Sequence, residues 1–495
     1  MRARATTITR ALWTLGFCGL CVTAVSASPH RAEQVLVSDL NRIFHAPAMV
    51  QGIWSVEVKA LDSGRILYSL NPRTLMMPAS NMKILTLAAA VETLGWDYRF
   101  RTTLESTAPI EDGALAGDLV VVGGGDPTIN ARGNRAAAVL DEWATKLKAL
   151  GVTRIDGNVI GDASGFEATG LGQGWSWDDL QYGYTAPVSA LQFNENTATL
   201  TVTPGEAAGD QARLELAADT GLGLVHQVMT GEPGSPTAIA VQRSPNDRWL
   251  QVSGSIAADA SPITRDVAIA SPARYFARAV LDGLAARGIP VRGLPLDRPN
   301  QTVIASGPRR VLVESSSPPL REIAATMMKV SQNLYAETLL KQTGAMKSGG
   351  PATAEAGRSA ARDVFANWNI PQATYVQVDG SGLSRYDYVT ADLLVTILEH
   401  MFKDPRHHEA FTSALPIAGT DGTIASRLKN TRAEGNAIAK TGSIANVRAL
   451  SGYVRTRDGE TLAFSMLANS FTIPPATVNW IADVAVETLS NYSAR

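Results

Sequence analysis

The sequence predicts an α/β (α+β) fold in which an antiparallel sheet covered by helices carries large, strand-rich inserted domains. Near the start, residues 54–60 and 65–70 alternate apolar and polar residues on either side of a glycine-containing turn, which is typical of a β-hairpin. Near the end, residues 449–456 and 461–468 repeat this pattern, and residues 478–489 follow with helical spacing. We therefore expect the first and last segments to form one sheet, with the two ends of the chain close together.

The middle of the chain has a different pattern and is predicted to be an insertion. Residues 102–304 are rich in short strands and turns, with one predicted helix at residues 272–287, and they lie between the two halves of the first domain. The expected organisation is a first domain formed by residues 28–101 and 305–495, an inserted domain II formed by residues 102–203 and 264–304, and a domain III formed by residues 204–263.

The composition is that of a globular protein and does not suggest binding to nucleic acid. The chain has 495 residues, of which 18% are charged, and its net charge is −2. It contains no block of basic residues, so a nucleic-acid partner is not expected. The length predicts two or three domains, and the sequence leaves the oligomeric state open.

The N-terminal segment is predicted to be a signal peptide, residues 1–27. Basic residues come first, an apolar run at residues 11–25 follows, and small residues end at Ala27. Later apolar runs are too short to span a membrane, so an exported protein, periplasmic or extracellular, is expected. The chain's two cysteines, Cys18 and Cys21, would leave with this segment, which excludes a cysteine nucleophile and a cysteine-based metal site.

A candidate nucleophile lies at the start of a predicted helix, at residues 80–94. Ser80 occupies the first turn, and Gly95 favours a left-handed end. Lys83 is three residues further on, so it lies on the same face, within reach of the serine proton. A serine needs such a base to become a nucleophile. Because Ser-x-x-Lys is a common pattern that recurs at Ser426, it is weak evidence on its own.

Two further motifs strengthen this assignment. They are Ser331-Gln332-Asn333, predicted on or just before a helix, and Lys440-Thr441-Gly442-Ser443, which precedes a strand. In acyl transfer, Ser331 would relay a proton to the leaving amine, and Asn333 would hold Lys83 and the substrate amide. The charge of Lys440 and the hydroxyls of the third motif suit a substrate carboxylate.

The chemistry also sets conditions on the site. Lys83 must be neutral to accept a proton, which costs roughly 4.6 kcal/mol at pH 7 for an ordinary lysine. Burial and a neighbouring cation, for which Lys440 is the candidate, lower this cost. The backbone N–H groups of Ser80 and Ser443 would form an oxyanion hole worth about 3 kcal/mol per donor.

The order of the three motifs resembles that of the penicillin-binding proteins and serine β-lactamases. Ser331 lies 251 positions after Ser80, and this gap is similar to that in the D-alanyl-D-alanine carboxypeptidase/endopeptidases of the penicillin-binding protein 4 type, peptidase family S13. Other segments resemble this family too: Gly124-Gly-Asp-Pro127, Ala186-Pro-Val-Ser-Ala190, Asp379-Gly-Ser-Gly-Leu-Ser-Arg385, Leu415-Pro-Ile-Ala-Gly-Thr-Asp-Gly422 and Leu450-Ser-Gly-Tyr453.

The resemblance implies a transpeptidase-like domain with two nested insertions, and a DD-peptidase that cuts peptidoglycan stem peptides after D-alanine. It implies that Ser80 is acylated with Lys83 as its base, and that β-lactams inhibit by acylating the same serine. It also implies that Lys440, Thr441, Gly442 and Ser443 line the substrate site. Members that cut diaminopimelate-containing peptides use an Asp and an aromatic residue of the inserted domain plus an Arg. The matching positions are Asp179, Tyr184 and Arg385.

Two other functions remain open. A serine β-lactamase needs a Glu that activates water, and the available look-alike, Glu337, is better explained by helix packing. A non-catalytic peptidoglycan-binding homologue would not need a nucleophile paired with a base. No Gly-x-Ser-x-Gly or His-Glu-x-x-His motif is present, so no metal or other cofactor is expected. The pair Trp175 and Trp177 indicates either packing or a platform for sugars, with packing favoured.

Overall fold

The structure is a computed structural model that describes residues 31–245, 247–298 and 308–494. The predicted signal peptide lies outside these residues. The helices are α1 Arg31–Phe44, α2 Met82–Leu94, α3 Arg135–Ala149, α4 Pro272–Ala285, α5 Leu320–Lys329, α6 Asn333–Ser348, α7 Ala354–Asn367, α8 Ala391–Lys403, α9 His408–Ala414 and α10 Pro475–Asn491. The strands are β1 Ile53–Ala60, β2 Ile66–Leu70, β3 Arg101–Ser106, β4 Ile110–Glu111, β5 Ala114–Leu115, β6 Leu119–Val122, β7 Arg154–Ile155, β8 Val159–Asp162, β9 Thr197–Thr203, β10 Arg213–Leu216, β11 Gly223–Gly231, β12 Ala238–Arg243, β13 Trp249–Ala257, β14 Ile263–Ala268, β15 Pro295–Asp297, β16 Arg310–Ser316, β17 Tyr375–Val376, β18 Tyr388–Val389, β19 Ile438–Ile444, β20 Val447–Arg455 and β21 Thr461–Asn469.

The first domain is built on one antiparallel sheet that joins both ends of the chain. Its strand order is β19-β20-β21-β1-β2, so the N-terminal hairpin pairs with the last strand. Helices α1 and α10 pack together over one face, whereas α8 lies against the other. The predicted fold class, an antiparallel sheet covered by helices, is therefore confirmed.

Helix α2 is the centre of the helical layer. All of residues 82–91 are buried, and the helix packs against α5, α6, α7 and α8. A helix that is apolar on every side can be stable only where it is surrounded by protein. Its first turn points toward β19, since the preceding 3₁₀ turn Ala79–Asn81 packs against that strand. This packing fixes the position of Ser80.

The inserted segment forms a mixed sheet, in the order β15-β8-β6-β3-β16, and three three-stranded sheets, β4-β5-β7, β10-β9-β14 and β11-β13-β12. Helices α3 and α4 cover the mixed sheet. The sequence predicts α4 but misses α3, although Val139, Trp143 and Leu147 recur at helical spacing and are buried. The insertion therefore contains a helix, α3, in addition to the strands and the one helix that the sequence predicts.

The sheets differ from the predicted domain boundaries at two points. Strand β16, expected in the first domain, pairs with β3 of the mixed sheet. Strands β9 and β14 were expected mainly in domain II, yet they pair with each other and share a core with β11 and β13. Because sheet pairing and a shared core define a folding unit, we propose that domain II extends to residue 316 and domain III spans residues 197–268.

None of the helices within residues 31–245, 247–298 and 308–494 is both long and apolar enough to cross a bilayer.

Candidate active site

Ser80 and Lys83 form a hydrogen-bonded pair at the start of α2. Lys83 Nζ lies 2.9 Å from Ser80 Oγ, as the three-residue spacing predicts. The preceding residue, Ala79, has a φ of +45°, which turns the chain sharply into the helix. At the other end, Gly95 has a φ of +80° but a ψ of 159°, so the predicted left-handed helical end is wrong in detail. The second Ser-x-x-Lys pattern lies outside the helices, with Ser426 exposed.

Lys83 is fully buried and has three hydrogen-bond acceptors. Besides Ser80, they are Asn333 Oδ1 at 2.7 Å and the backbone oxygen of Ser381 at 2.9 Å. The second motif therefore meets the first through this lysine, as expected. Ser381 lies in the turn-rich loop of residues 379–384, which the sequence did not place in the site. Backbone acceptors carry no sequence signature, so this contact could not be predicted.

Burial lowers the pKa of Lys83 to about 7. The carboxylates of Asp379, Glu337 and Asp387 oppose this shift, because a nearby negative charge favours the ammonium form. Burial, followed by repulsion from Lys83, lowers the pKa of Lys440 well below its usual range. The predicted neutralisation of Lys83 is thus supported, although burial rather than the second cation is its main cause.

The Ser331 hydroxyl accepts a hydrogen bond from Lys440 Nζ at 2.8 Å, which joins the second motif to the third. The sequence predicts one helical stretch over residues 320–341, but the structure breaks it between α5 and α6. Ser331 stands in this break with a φ of +63°. Such a conformation is uncommon for a residue other than glycine and is often found at functional sites. The break brings Ser331 to the cavity beside Ser80.

The third motif lies on β19, the edge strand of the main sheet. The backbone N–H of Ala439 points away from β20, since it donates to the oxygen of Pro416 at 2.9 Å. N–H groups alternate along a strand, so the N–H of Ser443 points to this same free edge. A side chain at Gly442 would meet the oxygen of Pro78 at 2.5 Å, so glycine allows the edge to approach Ser80. Thr441 Oγ1 donates to Thr423 Oγ1 at 2.7 Å.

The loop of residues 379–384 is held by two buried carboxylates that sequence analysis did not include in the site. Asp379 accepts hydrogen bonds from the N–H groups of Gly382 at 2.6 Å and Ser384 at 2.7 Å. Glu337, on α6, accepts from the N–H of Ser381 at 2.7 Å. Burial raises the pKa of Glu337 to about 7. These contacts fix the loop oxygen that binds Lys83.

Asp179, Tyr184 and Arg385 line the same cavity of about 450 Å³ as Ser80 and Ser443. Tyr184 Oη donates to Asp179 Oδ1 at 2.7 Å, and burial followed by this hydrogen bond raises the tyrosine pKa. The backbone oxygen of Tyr184 accepts from Asn333 Nδ2 at 2.9 Å, which connects the inserted domain to the second motif. The structure thus brings all three of these predicted residues to the cavity.

Asp178 and Tyr182 are near Asp179 and Tyr184 in sequence and are of the same residue types, but the structure places them differently. Asp178 is exposed and lies between this cavity and a second one. Tyr182 stacks on Tyr184 with ring centroids 5.3 Å apart, but it lines only the second cavity.

The fold and the joined motifs define a penicillin-binding-protein type of serine acyl-transfer enzyme, and comparison with known proteins specifies the family. The model of the D-Ala-D-Ala carboxypeptidase 3 (S13) family matches residues 36–490. The chain belongs to this family. The predicted family and enzyme class, a serine-type D-Ala-D-Ala carboxypeptidase, are thereby confirmed.

Individual relatives span nearly the whole chain. A D-alanyl-D-alanine carboxypeptidase of Actinomadura sp. (strain R39) is 33% identical over 96% of this chain and 89% of the relative. The carboxypeptidase DacB of Haemophilus influenzae is 28% identical over 92% of both chains. The crystal structure of penicillin binding protein 4 from Haemophilus influenzae superposes with a TM-score of 0.79 at 27% identity, covering 92% of this chain and 99% of that one. A second structure of that protein holds a β-lactam and superposes with a TM-score of 0.73 at 25% identity, covering 92% of this chain and 99% of that one.

Proposed function

We propose that this chain is a serine DD-peptidase of peptidoglycan that cleaves the bond after D-alanine through an acyl-enzyme on Ser80. The observation that carries this proposal is the continuous contact from Ser80 through Lys83 to Asn333, in a cavity large enough for a peptide end. A nucleophile with a buried base of lowered pKa is what acyl transfer requires.

In the proposed reaction, neutral Lys83 removes the proton of Ser80 as Oγ attacks the carbonyl carbon of D-alanine. The N–H groups of Ser80 and Ser443 stabilise the resulting oxyanion. The carbon–nitrogen bond then breaks, and the leaving amine receives a proton through the Ser331 hydroxyl. Water hydrolyses the ester, which returns Ser80 and releases the shortened peptide. Thr441 binds the carboxylate of the departing residue, whose negative charge favours the ammonium form of Lys440 and so opposes the effect of burial on the lysine pKa.

Asp179, Tyr184 and Arg385 are proposed to recognise a diaminopimelate residue. This residue carries an ammonium and a carboxylate at the end of its side chain, which suit Asp179 and Arg385 respectively. Both lie in the cavity with Ser80, and Arg385 is exposed, with one contact to the oxygen of Ala445 at 3.4 Å. Because cross-links also contain this residue, both carboxypeptidase and endopeptidase activity are expected.

The contacts of Glu337 favour a peptidase over a β-lactamase. Its side chain is buried, and its two oxygens accept backbone N–H groups of the loop. It is therefore engaged in structure rather than free to activate water. We expect β-lactams to acylate Ser80 and to leave slowly. The substrate also implies an exported protein, in the periplasm or at the cell wall.

The test is intact-mass analysis of the mature protein after exposure to benzylpenicillin. We expect one adduct on Ser80 that persists, none in Ser80→Ala, and an unchanged adduct in Ser426→Ala, which alters the second Ser-x-x-Lys pattern. Incubation with a pentapeptide and with cross-linked muropeptides should release D-alanine and separated peptides. A folded protein without an adduct, or rapid turnover of penicillin, would contradict the proposal.

A further inference from the structure

A second cavity of about 460 Å³ adjoins the proposed active site. It lies between domain III and residues 177–182, and Asp178 lines both cavities. Strand β12 forms one of its walls, and residues 265–267 of β14 form another. Both are edge strands of their sheets. A ligand long enough to pass Asp178 could therefore occupy both cavities at once.

Trp177 is the more exposed of the two aromatic residues that line this cavity; the other is Tyr182, which stacks on Tyr184. The surface of Trp177 is 64% exposed, whereas Trp175 is half-buried and donates its indole N–H to Asp379 at 2.9 Å. The two tryptophans thus differ: packing explains Trp175, but it does not explain Trp177. A large exposed indole at the rim of a cavity usually marks a binding surface, because leaving it in water is unfavourable.

The wall opposite is rich in amide groups. Gln242 on β12 and Gln251 on β13 are directly paired across the sheet, and both are exposed. Neither side chain has a hydrogen-bond partner among the described residues. An amide side chain both donates and accepts hydrogen bonds, so this pair can bind neutral polar groups. Charges of both signs, from Arg265 and Asp266, leave no strong preference for an ion.

We propose that this second cavity binds the amino-sugar chain that carries the stem peptide. This inference rests on the proposed function, since a peptide cleaved at Ser80 is attached to such a chain. A flat apolar ring facing hydrogen-bonding amides suits a sugar, whose faces are apolar and whose rim carries hydroxyl and N-acetyl groups. Because the two cavities adjoin at Asp178, the peptide would enter one while its glycan lies in the other.

Calorimetric titration of the mature protein with a peptide-free tetrasaccharide of N-acetylglucosamine and N-acetylmuramic acid tests the proposal directly. We expect saturable binding that Trp177→Ala weakens roughly tenfold or more and Trp177→Phe largely restores. Gln242→Ala should also weaken it. Trp480→Ala is the matched control, because Trp480 on α10 is equally exposed but does not line this cavity, and its removal should change nothing. Absence of saturable binding would overturn the proposal.

Kinetics separate this proposal from the proposed function. Trp177→Ala should lower kcat/KM for a glycan-linked pentapeptide while leaving the free pentapeptide and benzylpenicillin acylation unchanged. Normal acylation with equal effects on both peptides would overturn the glycan site but not the peptidase. If a cross-linked peptide dimer without sugar binds with the same dependence on Trp177, the cavity is a peptide site and the glycan proposal is wrong.

Discussion

The side-chain nitrogen of Lys83 lies 2.9 Å from the backbone oxygen of Ser381, so the proposed base is held partly by a loop outside the three motifs. Glu337 in turn accepts the N–H of Ser381 and that of Gly380. The backbone of Ser381 is therefore held on both sides, its N–H by Glu337 and its oxygen by Lys83. Since a base must lie within hydrogen-bond distance of the proton that it removes, these supporting groups are expected to affect the rate.

Replacing Lys83 by methionine should reduce acylation by benzylpenicillin about 10³-fold, because a shape-preserving change removes the general base. Stopped-flow acylation rates measure this effect. Lys429→Met, at the exposed lysine of the second Ser-x-x-Lys pattern, should acylate normally. Equal rates for the wild type and Lys83→Met would show that Ser80 is activated by another group.

Acylation should depend on pH through Lys83. Its pKa is about 7, and only the neutral amine accepts a proton, so the rate should fall about tenfold per pH unit below 7 and level off above it. An ordinary lysine would place this limb near 10. A profile that still rises steeply between pH 8 and 10 would contradict the burial-lowered pKa.

Glu337→Gln should have two effects. The ionised form of Glu337 raises the pKa of Lys83, but the pKa of Glu337 is also about 7, so the neutral amide should move the acid limb of the pH profile only slightly to lower pH. Glutamine would place an NH₂ group 3.0 Å from the N–H of Gly380, where the carboxylate has an accepting oxygen, so the plateau should fall roughly tenfold, as for a lost buried hydrogen bond. Glu322→Gln, on the exposed face of α5, is the control and should leave both unchanged. A lower plateau without a shift of the limb would indicate a purely structural role.

Gly382→Ala should abolish acylation although glycine offers no chemical group. Gly382 has a φ of +79°, and a side chain there would lie 1.7 Å from the backbone oxygen of Ala79, next to Ser80. The loop or the helix start must move, which would separate Lys83 from its acceptors. Gly459→Ala changes a glycine with φ of +93° in an open turn and should cost stability only. An active Gly382→Ala variant would show that the loop tolerates displacement.

Stability should also respond to pH, through Glu57 in strand β1. Burial, and then the charge of Asp392, raise its pKa to about 7. A raised carboxyl pKa means that the folded state holds the proton more tightly, so stability is lost as pH rises from about 4.5 toward 7. The loss should be at most about 3 kcal/mol. Glu57→Gln should therefore raise Tm at pH 8 more than at pH 5, and equal shifts would contradict this explanation.

The elements that alternate or repeat regularly were predictable, since the hairpin, the last strands and α10 follow local periodicity. The requirements of acyl transfer predicted that the motifs at Ser80, Ser331 and Lys440 lie together, because a serine nucleophile needs a base and a proton relay. The break at Ser331 was not predictable, since local periodicity does not indicate a positive φ and the hydrogen bond from Lys440 on β19 joins segments 109 positions apart. The contact between Lys83 and the backbone oxygen of Ser381 was not predictable either, because any residue could supply such an oxygen. The boundaries of domain III stay a prediction, and the proposed revision follows from strand pairing, which joins segments that are distant in sequence.

The pairing of β1 with β21 has a consequence for biogenesis. The backbone N–H of Met77 donates to the Asn469 side chain at 2.8 Å, across 392 positions, just ahead of the proposed nucleophile. During synthesis, the N-terminal hairpin cannot pair with β21 until nearly the whole polypeptide has been made. A truncated nascent chain would carry Ser80 and Lys83 but not β19, which supplies Lys440 and Ser443 to the proposed site. We therefore expect peptide cleavage only by chains in which the last strands are present.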